Sequence, residues 1–282
     1  MKFLSNAHTH TPYCDGLSDI PTLVKRAQEL GFVSLGFSGH GCQGFDPPYS
    51  MEPPNLEAYI RELRELQDTH NRQGIAPKIY VGVEQDTFTP PENKRNNRRD
   101  FDYIIGSVHY LSDKVNRNKN AVDSSTDMLL RFINDKCGGD VMEMAKAYYR
   151  LLGEAMQKDK PDIIAHFDLV RKHAKAIGLD TESPVYKRAA LDAMEQAFQG
   201  CQLMEVNTGI IAKGYDTLPY PAGFLLDAWR EMGGKLTLTS DCHNAKDLDC
   251  AFPQALQIIK SKGFKRLYRL GTGKDMWDEI AL

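Results

Sequence analysis

Residues 6–16 read NAHTHTPYCDG, directly after the apolar start MKFL. In a strand, positions i and i+2 face the same side, so His8 and His10 can aim both imidazoles at one spot. The TPYCDG that follows carries a proline and a closing Asp-Gly, the chemistry of a strand that ends in a turn and brings Asp15 back over the same end. Two ring nitrogens and a carboxylate at a strand end suggest a metal ion. A lone His-x-His is more often an ordinary surface or half-buried pair, so the surrounding chain has to decide.

Outward from this stretch the same pattern recurs. LSDIPTLVKRAQELG spaces Leu17, Ile20, Leu23, Val24, Ala27 and Leu30 as a helical stripe and stops at Gly31. VSLGFSGH is a second buried strand ending at His40, and NLEAYIRELRELQDTHNRQG is an amphipathic helix with Leu56, Tyr59, Ile60, Leu63 and Leu66 inward. The strands KIYVGVE, DYIIGSVH, PDIIAHF, QLMEVN and KLTLTSDCH end at Glu84, at His109, near His166, at Asn207, and at Asp241 with His243. Further helices are expected at about 140–158, 184–199, 221–232 and 252–262, and a terminal helix after the short strand RLYRL. The connection after Glu84 breaks the pattern; its basic run NKRNNRR, 93–99, reads as a solvated loop on the opposite face.

Near-continuous apolar strands alternating with amphipathic helices imply a parallel sheet covered by helices. In a closed βα barrel every strand end lies on one face, where such folds place their active sites. A chain of 282 residues with 41% hydrophobic residues, no repeats and no linker fits one TIM-barrel-like α/β domain over residues 1–282. The net charge of -3 argues against a broad basic surface, so no nucleic-acid partner is expected. The start lacks the apolar run of a signal peptide and no segment approaches a membrane span, so a cytoplasmic location is expected. Six cysteines without C-x-x-C spacing are expected to be reduced thiols, and strand alternation turns Cys242 away from its neighbours Asp241 and His243 as packing.

Of eight histidines, six fall at expected strand ends: His8, His10, His40, His109, His166 and His243. Asp15, Glu84 and Asp241 bring the metal-capable side chains at one mouth to nine, too many for a zinc site with about four ligands. Nine ligands with a shared carboxylate suit two or three ions, and nitrogen and oxygen donors without thiolate fit Zn, Mn or Fe. Singly, Glu84 reads as well as a structural carboxylate and His166 as a satisfied core histidine. Their joint occurrence on alternating strands is what that reading explains poorly.

The set HTHTPYCDG, SGH, GVE, GSVHY, AHFD and SDCH, in order from residue 8 to 243, resembles the polymerase and histidinol phosphatase (PHP) family. FDYIIGSVHYL, GGD followed by YY, HFDLVRKH, EVNTG and TSDCH look most like its histidinol-phosphate phosphatase branch. The resemblance implies a distorted (β/α)7 barrel with three divalent ions: His8, His10, Glu84 and Asp241 around one, Glu84, His109 and His166 around the second, and Asp15, His40 and His243 around the third. It implies hydrolysis of L-histidinol phosphate to L-histidinol and phosphate, a step of histidine biosynthesis. SGH lacks the acidic residue that many relatives carry before the histidine, and SDCH has cysteine where alanine is usual; neither removes a ligand.

Phosphate-monoester hydrolysis requires accelerations up to ~10²¹, and one general base supplies roughly 10² to 10⁴, so metal ions are expected to carry most of the chemistry. Glu84, shared between two ions, and Asp15, a candidate proton donor to the leaving alkoxide beside a water in the same role, are the expected catalytic residues. Arg171, Asn207 and Lys213 are the expected substrate contacts. The irregular connections 41–54 and 110–139 leave the mouth and are placed to cover it, with Asp46, Glu52 and Asp113 as carboxylates for a substrate ammonium. Rival readings are a PHP phosphoesterase acting on nucleotides or nucleic-acid ends, a polymerase-linked module, which needs an attached polymerase chain, and a non-catalytic metal-binding module, which would be expected to have lost ligands.

Overall fold

The structure, a computed structural model, describes residues 2–46, 49–112 and 119–282. Seven strands form one sheet in chain order: Ser5–Asn6, Ser34–Phe37, Lys78–Asp86, Tyr103–Ser107, Ile163–Ile164, Leu203–Asn207 and Lys235–Thr239. Every pairing is parallel. Beyond the ends of the first and last strands, Thr9 and Cys242 form a parallel bridge: the His10 N–H donates to the Cys242 carbonyl at 2.8 Å and the Cys242 N–H to the His8 carbonyl at 3.0 Å. The sheet therefore curls into a nearly closed, distorted barrel, as the alternation of strands and helices implies.

Burial explains the apolar runs. Leu35, Phe37, Ile79, Val81, Val83, Ile105, Val206, Leu236 and Leu238 are completely buried, each stabilised by about 1.5–3 kcal/mol relative to exposure. Inside the barrel, a Cβ on Gly82 would stand 2.3 Å from the Tyr103 ring, so glycine there makes room for a phenol that donates to the Ala7 carbonyl. The helix Ile20–Leu30 starts at Asp19, whose carboxylate accepts from the Thr22 N–H, and ends at Gly31 with φ 74°, the left-handed conformation that glycine takes without penalty. Its buried face is Ile20, Leu23, Val24 and Ala27; Leu17 lies ahead of the cap at 75% exposure and is not part of the stripe.

Three further expectations need correcting. Residues 91–100 are not a loop but the helix Pro91–Asp100, which no apolar stripe announces because its one buried residue is Asn97, bonded to Gln85 Oε1 at 3.0 Å. Lys94 on Asp159 and Arg98 on Asp162 hold the same helix down, so the basic run is largely paired. Within 110–139, the strands Tyr110–Ser112 and Lys119–Ala121 pair as an antiparallel hairpin, and the helix Thr126–Lys136 follows. The terminal helix is instead the strand Trp277–Ala281, paired antiparallel with Arg266–Leu270. This second hairpin sits at the N-terminal ends of the barrel strands: Ser34 Oγ donates to the Leu270 carbonyl and the Tyr80 hydroxyl to that of Gly271. Among the described residues no helix is long and apolar enough to cross a membrane.

Candidate metal centre

The bridge at Thr9 fixes the strand alternation on either side of it, so His8 and His10 both turn inward and stack at 5.2 Å, fully buried. Glu84 comes from the third strand into the middle of the mouth. Its Oε2 lies 2.9 Å from His40 Nδ1, 3.3 Å from His8 Nε2 and 3.6 Å from His10 Nε2; its Oε1 lies 3.1 Å from His166 Nε2 and 3.3 Å from His109 Nε2. Asp241 Oδ1 approaches His10 Nε2 at 3.2 Å and His8 Nε2 at 3.6 Å. At the outer side Asp15 receives His10 Nδ1 at 3.1 Å, His243 Nε2 at 3.1 Å and His40 Nε2 at 3.7 Å. Three groups bring donor atoms within 4.8 Å of one another: His10, Asp15, His40 and His243; His8, His10 and Glu84; and His40, Glu84 and His109.

The electrostatics calls for cations. Burial works against a charged His8, but the carboxylates of Glu205, Asp241 and Glu84 outweigh it and push the ring up to about 10. His10, beside Asp15, and His109, beside Glu84 and Asp86, are likewise raised well above the imidazole range against the effect of burial. Although burial opposes ionisation, Glu84 is held well below the carboxylate range by His40, His109 and His8, and Asp241 by Lys213 and His8. The carboxylates thus keep positive charge on the rings, where divalent ions would hold it better. His8 Nε2 and His10 Nε2 are buried with no hydrogen-bond partner, and His8 Nδ1, His109 Nδ1 and His243 Nδ1 face Glu205 at 2.9 Å, Asp86 at 3.5 Å and the Asp241 carbonyl at 2.8 Å. Rings anchored through one nitrogen with the other turned to the mouth fit a metal centre. Cys242 stays outside it: burial pushes its thiol up to about 12, and Sγ donates to the Asn244 carbonyl.

A cavity of about 830 Å³ opens above these groups, lined among others by Asp15, His40, Glu84, His109, His166, Asp241 and His243. Lys213 is in its wall, with Nζ 3.6 Å from Asp241 Oδ2. Arg171 and Asn207 are not. The Arg171 guanidinium is spent on Asp168, Asp216 and the Pro219 carbonyl, and Asn207 is fully buried between Glu205 and the Gly209 N–H. Lys172, next to Arg171 in the chain, lines the cavity instead, tied to Asp123 through the backbone carbonyl at 2.6 Å. At the covering end, the Tyr110 hydroxyl donates to Asp46 Oδ2 at 2.7 Å and accepts from Gln43 at 3.3 Å, while Lys119 lies over the Phe45 ring. Glu52 is exposed ahead of the helix Pro53–Gln73, and Asp113 lies outside the described residues.

Glu205 and Lys172 stand outside the set of residues that strand ends and spacing single out. Glu205 interrupts the apolar run of LMEVN, which is the signal that marks it: a carboxylate in the middle of a strand buried on both faces needs partners. Lys172 takes the place expected of Arg171, because the short 3₁₀ turn over Leu169–His173 decides which of two adjacent basic residues enters the cavity.

Barrel, strand-end histidines and central carboxylate together define a metal-binding βα barrel. The PHP domain matches residues 6–209, and the chain belongs to that family. A Deinococcus radiodurans protein named "Probable histidinol-phosphatase" is 30% identical over 93% of this chain and 95% of its own length. Among solved structures, one from Listeria monocytogenes superposes with a TM-score of 0.76 at 19% identity, covering 89% of this chain and 99% of that one. The histidinol phosphate phosphatase of Lactococcus lactis, complexed with zinc, L-histidinol and phosphate, superposes with a TM-score of 0.68 at 20% identity over 94% and 95% of the two chains.

Proposed function

We propose that this chain is a histidinol-phosphatase of histidine biosynthesis, hydrolysing L-histidinol phosphate to L-histidinol and phosphate at a centre of three divalent ions. The observation that carries the reading is the full set of nine donors, Glu84 and eight others, gathered at one mouth in a chain that aligns almost end to end with a relative of that name. In the proposed assignment His8, His10, Glu84 and Asp241 hold one ion, Glu84, His109 and His166 the second, and Asp15, His40 and His243 the third. When bound, such ions draw charge from phosphoryl oxygens and acidify coordinated water. Residues 1–282 act as one unit in this reading, supported by a buried apolar cluster running from Phe3 to Leu270.

The side chains divide the remaining work. Lys213 and Lys172 line the cavity with positive charge, suited to a phosphate dianion. Asp46 and Tyr110 line it with a carboxylate and a phenol, suited to an ammonium and an imidazole. Burial and the Asp46 carboxylate hold the phenol well above its usual range, so Tyr110 remains a hydrogen-bond donor. Asp15, ionised by its three histidines despite burial, stores no proton of its own; in this reading it takes the proton shed by the attacking water and hands it to the departing alkoxide, which leaves as the alcohol. A volume of about 830 Å³ is ordinary for a small-molecule site. An assay of the zinc- or manganese-loaded protein should give a kcat/KM for L-histidinol phosphate more than tenfold above those for simple phosphate monoesters and nucleotides, each factor of ten reflecting about 1.4 kcal/mol of transition-state discrimination. An equal or better value for a nucleotide or a nucleic-acid 3′ end moves the chain to another phosphoesterase activity of the family.

A further inference from the structure

Glu205 lies at the floor of the centre, fully buried, with four polar partners from four parts of the barrel. Oε1 accepts from the His166 backbone N–H at 2.7 Å and from Asn207 Nδ2 at 2.7 Å; Oε2 meets Thr239 Oγ1 at 2.8 Å and His8 Nδ1 at 2.9 Å. The orientation of the Asn207 amide is not free. Its Oδ1 accepts the Gly209 N–H at 2.8 Å, which leaves Nδ2 to face Glu205 as a donor. Oε1 therefore receives two obligatory donors, and an ionised carboxylate can only accept. It follows that His8 donates from Nδ1, so that when the ring gives up its second proton the lone pair is on Nε2 and faces the mouth, where that atom stands 3.3 Å from Glu84 and 3.6 Å from Asp241.

Resting on the metal centre of the proposed function, we infer that Glu205 is a positioning residue that sets the tautomer of His8 and, through the His166 backbone, the gap between the two histidines on either side of Glu84. Glu84 takes ring nitrogens of both histidines from above; Glu205 takes a ring nitrogen of one and the main chain of the other from below. The two carboxylates form a frame whose open positions are ion sites. Neutral replacement of Glu205 reverses the polarity of the lower contact. In Glu205→Gln the oxygen is held by the donors from His166 and Asn207, so the amide nitrogen faces His8. Nδ1 must then accept, and the ring proton moves to Nε2, where it points at an ion position.

The test reads zinc rather than turnover, so its failure is distinct from failure of the assigned substrate. Zinc affinity of Glu205→Gln, measured by competition with a chromophoric chelator, should fall by roughly tenfold to a hundredfold with the barrel folded by circular dichroism. In a His8→Ala background the same substitution should change the affinity little, because its route through His8 is gone. Unchanged affinity in the single variant, or an equal drop in both backgrounds, overturns the inference. Should Glu205→Gln not fold, the unaltered protein decides: long-range ¹H–¹⁵N spectra of the zinc-loaded enzyme should show His8 protonated at Nδ1, and a proton at Nε2 overturns the assignment. A protein that passes these tests yet leaves L-histidinol phosphate intact loses the proposed substrate and keeps the role of Glu205.

Discussion

Glu84 at the strand ends has five histidine nitrogens within 3.6 Å, whereas Asp46 in the cover above has Tyr110 as its side-chain hydrogen-bond partner. Glu84 stands in a strand paired along both edges. Asp46 stands in a connection at φ 54°, a left-handed conformation that costs a non-glycine residue about 1–2 kcal/mol. Backbone pairing positions Glu84 at the mouth, and side-chain contact between a connection and a hairpin positions Asp46 above it, where the proposed function assigns it to recognition. The mouth should therefore fail by losing ions and the cover by losing discrimination.

The largest effect is expected at the mouth. Glu84→Gln should lower kcat/KM by roughly a thousandfold or more, the several kcal/mol that metal assistance contributes, with a parallel loss of metal by elemental analysis; full occupancy with near-normal turnover would remove Glu84 from the centre. Next is Arg171→Met, which leaves Asp168 and Asp216 without their cation. It should cost about 3–5 kcal/mol in urea unfolding, as for breaking a buried pair, with KM barely changed; a large rise in KM with full stability would return Arg171 to the substrate.

The cover should respond more gently. Asp46→Asn should lower kcat/KM for L-histidinol phosphate by roughly tenfold to a hundredfold, the value of a charged hydrogen bond, and leave hydrolysis of p-nitrophenyl phosphate nearly unchanged. Equal losses on both substrates would erase the distinction between mouth and cover. The last and most gradual effect concerns pH. His8 in the metal-free protein is raised from 6.5 to about 10, so ion uptake in that window displaces its proton. Calorimetry should show affinity rising with pH by about tenfold per unit for each proton released. The sign for stability is opposite: the raised pKa contributes fully below 6.5 and is lost as pH climbs through about 10, so metal-free protein should melt earlier in alkali.

Legibility in the sequence follows the same division. A polar residue ending an apolar run is visible in one dimension, and the barrel with its strand-end donors is read from such runs. The helix Pro91–Asp100 is hidden because polar side chains dock it, and the periodicity of apolar residues is silent about those. Trp277–Ala281 reads WDEIA, too short to separate a period of two from one of 3.6. Asp46, Tyr110 and Lys119 lie far apart along the chain and acquire meaning from each other, which spacing cannot reveal.

The seam at Thr9 and Cys242 carries a consequence for biosynthesis. His8 and His10 precede their partners Asp241 and His243 by 233 positions each along the chain. At roughly 5–20 residues per second, the leading histidine pair waits on the order of ten seconds or more before the last barrel strand arrives to close the ring. Until then it is an open chelating motif in a crowded compartment, free to take whatever cation is most available. Selection of the correct ion consequently belongs to the finished ring.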